Sequence, residues 1–194
     1  MHALVALLFL LANPSWLAQP FWETKPPEQW TDREIDLMRG ASPWTQTIGP
    51  PPELTVWFAT ALPMEAAEDE ARLRKRNPLH QPDADYLDFL RENREKIFVL
   101  AVAYPSLDGL GKEANAWKTV EKETLMTVGG KTYKIEGTFP PTPSDPVLRL
   151  ILPRSVKPTD KSVAFRLYLP GLPFPERDVE FHVKDLSYRG KLEM

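Results

Sequence analysis

Two nine-residue runs, Leu54–Leu62 (LTVWFATAL) and Lys96–Tyr104 (KIFVLAVAY), are largely apolar at both alternate positions. Successive side chains of an extended chain point to opposite faces, so a strand with this pattern must be covered on both sides. In the first run Leu54, Val56 and Phe58 fall on one face and Trp57, Ala59 and Ala61 on the other. The two runs are therefore expected to be the central strands, with other layers of structure above and below them.

The stretch between them is written in charge. Residues 63–77 (PMEAAEDEARLRKRN) open on a proline, carry Glu65, Glu68, Asp69 and Glu70 early, and carry Arg72, Arg74, Lys75 and Arg76 late. That order complements the helix dipole and predicts Glu68–Arg72 and Glu70–Arg74 pairs. Residues 82–96 (PDADYLDFLRENREK) repeat the logic, with Tyr86, Phe89 and Leu90 as the apolar side. Both read as surface helices whose charges face solvent.

A third helix is signalled earlier. Thr31 followed by Glu34 is a capping box, and Trp30 with Ile35 forms a hydrophobic staple. Gly40 is expected as the left-handed terminator and Pro43 discourages resumption, so the helix has about two turns and needs tertiary support. Residues 47–53 (TIGPPPE) then read as an extended, proline-rich connector.

The C-terminal half reads as antiparallel β. Gly129 and Gly130 separate two short strands at the spacing of a tight hairpin. In residues 179–184 Val179, Phe181 and Val183 alternate with Glu180, His182 and Lys184, giving one core face and one wet face. The segment Leu186–Leu192 is a candidate edge for pairing with a neighbour.

Composition narrows the class. Pro is 21 of 194 residues, about twice the usual share of roughly 5%, which favours short strands and extended turns. The net charge of -3 supplies no general attraction for nucleic acid. Cysteine is absent, so burial alone must hold the fold. Ala3–Ala12 is an uninterrupted apolar run followed by Pro14 and Ala18, the core of a signal peptide and too short for the roughly 20 residues of a membrane span. The organisation expected is a signal peptide over 1–18, a Trp-rich segment over 19–53 with one short helix and the connector, and a β-rich domain over 54–194. The fold class is α+β, mainly antiparallel β: a β-sandwich or partly open barrel with three short helices in the N-terminal half.

Chemistry is sparse by comparison. No two histidines stand at metal-ligand spacing, and no cofactor motif is present. Asp83, Asp85 and Asp88 gather near a helix start, where carboxylates have a structural reason to be. Asp108–Glu113 (DGLGKE) reads as a turn, and Ser106 lacks the G-x-S-x-G setting of a nucleophile. No catalytic or metal residue is assigned. Trp22, Trp30, Trp44 and Trp57 fall within 36 residues and are the candidates for ligand contact, with packing as the competing role.

Trp30-Thr31-Asp32, Ser42-Pro43-Trp44, Ala61-Leu62-Pro63, Leu152-Pro153-Arg154 and the run from Lys184 to Glu193 are spread over most of the chain beyond the leader. Together they resemble a family of exported acidobacterial proteins without assigned activity, distantly like the GWxTD domain. The resemblance implies export and carries no catalytic residues. The functional expectation is a secreted or periplasmic, non-catalytic binding or interaction module of the bacterial envelope, with a protein or glycan partner. The alternatives are a secreted hydrolase, drawing on His80, Asp83, Asp85 and His182, and a structural subunit assembling through a sheet edge.

Overall fold

The computed structural model describes residues 19–74, 82, 84–110 and 115–194. The expected signal segment lies outside them. In chain order the elements are α1 (Phe21–Thr24), α2 (Asp32–Ala41), β1 (Thr45–Ile48), β2 (Leu54–Phe58), α3 (Leu62–Leu73), α4 (Ala84–Asn93), β3 (Ile97–Ala103) and α5 (Ala116–Glu123). There follow β4 (Leu125–Val128), β5 (Lys131–Lys134), β6 (Gly137–Phe139), β7 (Val147–Pro153), β8 (Ser162–Tyr168), β9 (Glu176–His182), β10 (Ser187–Tyr188) and β11 (Lys191–Leu192).

Two antiparallel sheets form a sandwich-like α+β fold that does not close into a barrel. One has five strands in the order β1-β2-β3-β7-β6, the other four in the order β5-β4-β8-β9. In the first sheet β3 is central, and its register with β7 runs from Ile97 opposite Pro153 to Ala103 opposite Val147. The even-numbered side of β3 and β7 (Phe98, Leu100, Leu150, Leu152) faces the second sheet, whose Phe165 and Phe181 complete the core. Phe58 sits among them, with ring centroids 4.6 Å from Phe181, 5.7 Å from Phe98 and 6.0 Å from Phe165. Tilted and edge-on ring pairs at such distances each add about 0.5–1.5 kcal/mol beyond the area they bury.

The other side of the five-stranded sheet is buried too. Ile97, Val99 and Ile151 pack against Tyr86 and Leu90 of α4 in a second, smaller apolar cluster. This is the two-sided cover that the apolar run required: β3 is buried at every position from Ile97 to Val102. The four-stranded sheet is covered once. Along β9, exposed Glu176, Asp178, Glu180 and His182 alternate with buried Arg177, Val179 and Phe181.

The capping box of α2 is present: Thr31 Oγ1 accepts from the Glu34 amide at 3.2 Å, and Glu34 accepts from the Thr31 amide at 2.7 Å. Trp30 and Ile35 are both buried. The helix has ten residues and runs through Gly40 to Ala41, one turn beyond the expectation. Ser42, forced towards extended backbone by Pro43, ends it instead.

Three further differences have local causes. The connector expected at 47–53 begins inside a strand: β1 pairs with β2 from Thr45 opposite Trp57 to Ile48 opposite Leu54, so the prolines form a hairpin loop and the boundary at residue 53 falls inside one sheet. The run Leu54–Leu62 leaves its strand after Phe58. Thr60 turns the chain, its hydroxyl accepting from the Val99 amide at 2.9 Å and donating to the Met194 carbonyl at 3.0 Å, and Pro63 stands in the first turn of α3. Helix α5, hidden in a segment read as loop and strand, opens on Asn115 in the left-handed region without a side-chain cap and buries Ala116 and Val120. The Gly129–Gly130 hairpin is as read, both glycines having positive φ. Leu186–Leu192 folds onto itself as the β10–β11 hairpin, outside both sheets.

Candidate ligand groove

The helices roof the five-stranded sheet incompletely. α2 packs on α3, α4 covers the β3–β7 side, and a cavity of about 290 Å³ remains between α3 and α4. Its floor is sheet: Trp57 and Ala59 beside the end of β2, and Arg149 from β7. Its walls are Glu65, Glu68, Asp69 and Arg72 of α3, and Tyr86, Leu87 and Leu90 of α4. Glu65, Glu68 and Asp69 share a helix at spacings of three and four residues, which puts them on one face.

Each charge on these walls meets an opposite one. Both oxygens of Glu65 accept from Arg94, at 2.8 and 2.5 Å, and Arg94 also reaches the Thr60 carbonyl at 3.3 Å. Burial lifts the Glu65 carboxyl above its ordinary range, against the pull of Arg94. Glu68 does not pair with Arg72 as expected from spacing. It accepts from Arg39 Nε of α2 at 2.7 Å, while Arg72 bonds Asp69. The expected Glu70–Arg74 pair forms, at 2.6 Å. Arg149 is gripped by Asp145 at 2.6 and 3.3 Å, both side chains under a tenth exposed, and its guanidinium lies 4.5 Å over the Tyr86 ring. Burial pushes the Tyr86 phenol well above its ordinary range, Arg149 pulling the other way.

A second cavity, of about 400 Å³, lies on the α2 side of α3 and is lined by Asp36, Arg39, Thr55 and Met64. Trp57 and Glu68 line both cavities and, beneath α3, form the partition between them. At that partition Glu68 Oε2 and Arg39 Nη2 are buried without a hydrogen-bond partner. One spare acceptor and one spare donor thus belong to the same ion pair.

The four tryptophans named from sequence are not gathered at one place. Trp22, Trp30 and Trp44 belong to an edge-to-face chain with Phe21, at centroid distances of 5.0, 5.3 and 5.8 Å. The Trp30 indole donates inward to the Lys25 carbonyl at 3.2 Å and that of Trp44 to the Glu193 carbonyl at 2.9 Å; Trp22 is half-buried. Trp57 alone of the four lines the groove.

The acid and histidine residues named from sequence do not converge among the described residues. Asp85 is exposed at the start of α4, on the outer side of the five-stranded sheet, and His182 is exposed on the outer side of the four-stranded one. His80, Asp83 and residues 111–113 of the DGLGKE turn lie outside the described residues. Asp88 pairs with Arg91 at 2.8 Å. Ser106 donates to Asp108 at 2.8 Å and accepts from its amide, a local turn. Among the described residues no group of three His, Asp or Glu side chains is placed to hold a metal ion, and no helix is long and apolar enough to cross a membrane.

The groove residues Glu65, Glu68, Asp69, Arg72, Tyr86 and Arg149 were not singled out as a site from sequence. One signal was available: Arg149 is the lone charge within the apolar run Val147–Leu152. A charge inside a strand buried on both faces needs a buried partner. No family model, curated protein or solved structure matches the chain.

Proposed function

We propose that the protein is an exported binding module whose ligand seat is the cavity between α3 and α4, acting by recognition rather than by bond breaking. One observation carries the reading: the carboxylates on the cavity wall are each engaged by an arginine, over a floor that includes Trp57 and Arg149. A hydrolytic carboxylate pair needs one free base and one protonated acid facing a shared space. Salt-bridged carboxylates instead make fixed, pre-oriented hydrogen-bond acceptors, which favours binding by lowering its entropic cost. About 290 Å³ is at the small end of ligand sites, which run from roughly 300 Å³ upward.

Export is supported by the apolar run Ala3–Ala12 and by the family resemblance. Intact mass of the protein recovered from the periplasm or medium is expected to lack about eighteen residues. The binding reading is tested with Leu87→Arg. Leu87 lines the cavity yet is 47% exposed, so the longer side chain fills the space without disturbing the core. On an array of glycans and peptides, the unmodified protein is expected to retain a ligand that Leu87→Arg loses at unchanged melting temperature. Equal retention by both proteins would place the ligand elsewhere.

A further inference from the structure

Independently of the cavity between α3 and α4, we propose that a depression at the end of the sandwich, where the two sheets part, binds a small organic anion: a carboxylate or phosphate group carried on an apolar body. The β10–β11 hairpin belongs to neither sheet and borders that end without filling it, leaving a cavity of about 770 Å³. Buried Phe98 of β3 and Val183, just beyond β9, form its floor. Its walls come from three separate stretches: the turn after β7, the short turn Val183–Asp185, and the hairpin.

The first argument is charge. Arg154, Lys184 and Lys191 line the cavity, one from each stretch, and all three residues are exposed. Among the described residues none of them pairs with a carboxylate side chain, and Glu95 is the one carboxylate side chain on the walls. Even with a carboxylate at Met194 counted beside Glu95, the lining keeps a positive excess, in a chain whose net charge is -3. An anion entering here gains counter-charges and a cation does not.

The second is orientation. Arg154 is held by main chain on two sides: Nε donates to the Arg94 carbonyl at 3.0 Å and Nη2 to the Met194 carbonyl at 3.4 Å. A planar guanidinium fixed by these donors still has Nη1 to offer, at little further cost in side-chain freedom. The Ser187 hydroxyl lines the same cavity and adds a neutral donor.

The third is apolar surface. Half-buried Val156 and Leu192 and exposed Pro158 stand on the walls beside the cations. A bare inorganic ion leaves that surface wet, whereas an acid on an aliphatic or aromatic body covers it. A bilayer is the weaker fit, because the cations line a concavity rather than a protruding face.

The test is calorimetric titration of the full chain with benzoate and with phenyl phosphate. Benzamide keeps the ring without the charge; acetate and inorganic phosphate keep the charge without the ring. One of the two aromatic acids is expected to bind at least tenfold tighter than all three controls, and the tighter of the two identifies the acid group. Raising the salt from about 0.05 to 0.5 M is expected to weaken it at least threefold, because exposed charges are screened. The double variant Lys184→Gln, Lys191→Gln is expected to weaken it at least tenfold at unchanged melting temperature, since both side chains are on the surface. Failure of both acids to bind, or equal binding by the double variant, overturns the site. Benzamide binding as tightly as the acids overturns the charge requirement, and acetate or inorganic phosphate doing so overturns the apolar half. Retention on anionic-lipid vesicles that neither acid displaces overturns the small ligand in favour of a membrane surface.

Discussion

The outer faces of the two sheets have opposite fates although both sheets are antiparallel and share one core. On the five-stranded sheet, the outer side of β3 and β7 holds Ile97, Val99, Arg149 and Ile151 under α4. On the four-stranded sheet, the outer side of β8 and β9 shows Arg166, Asp178, Glu180 and His182 to water. A face left to water can carry charge at little cost and needs no fixed partners. A roofed face cannot, so its charges must be paired, and the gaps in the roof become cavities with oriented polar walls. That is why the candidate groove lies on the roofed side.

The sharpest way to break this comparison is to remove one arginine from each face. Arg149→Ala leaves the Asp145 carboxylate buried without its partner and is expected to cost about 3–5 kcal/mol. Arg166→Ala removes an exposed pair whose closest approach to Asp178 is 3.6 Å, and a change under about 0.5 kcal/mol is expected. Urea unfolding of the two variants measures both, and equal losses would show that the faces do not differ in the way described.

A smaller effect sharpens the same contrast with one substitution type. Val99→Thr inserts a hydroxyl under the α4 roof, where Val99 is fully buried, and is expected to cost about 1–3 kcal/mol. Ala164→Thr adds a hydroxyl to the wet face of β8, where threonine suits a strand, and is expected to stay within about 0.5 kcal/mol of the unmodified protein. Thermal unfolding monitored by circular dichroism ranks them.

The smallest effect belongs to the edge of the roof, at the start of α2. Thr31→Ala is expected to cost about 1 kcal/mol through loss of the capping bond. The Glu34 carboxyl is held below its ordinary value of 4.5 by the Lys25 ammonium, which donates to it at 2.6 Å, and by the Thr31 amide. A carboxyl depressed on folding stabilises the protein above its unfolded value and loses that contribution as pH falls through the folded one. Glu34→Gln is therefore expected to lower stability at pH 7 and to flatten its decline below about pH 4.5. Glu65, lifted by burial, has the opposite sign: its contribution is complete below 4.5 and lost as pH rises through the folded value.

Much of the fold was legible in particular residues. The alternation Val179, Phe181 and Val183 located a one-sided strand, the capping pair Thr31 and Glu34 located a helix start, and Gly129–Gly130 located a hairpin. The charged helices were located, and the α4 charges Asp85, Asp88 and Arg91 are exposed as read, but two carboxylates of α3 are not. Glu68 and Glu70 are less than a fifth exposed, because each is drawn to an arginine that folding places nearby. Strand β1 was obscured by its polar composition, Thr45-Gln46-Thr47-Ile48, which only pairing with β2 turns into a strand.

The amino-acid order by itself determined what depends on neighbours a few residues apart: helix starts, hairpin turns, and which strands must be buried once or twice. Those interactions are short in sequence, so their partners are read together. The groove depended on contacts across the chain, Arg94 meeting Glu65 and Arg39 meeting Glu68 at separations of 29 residues, with Asp145 locking Arg149 beneath Tyr86. Only packing of the helices onto the sheet brings those groups together, because a low-dielectric interior makes each buried charge require a partner that nothing in local sequence specifies.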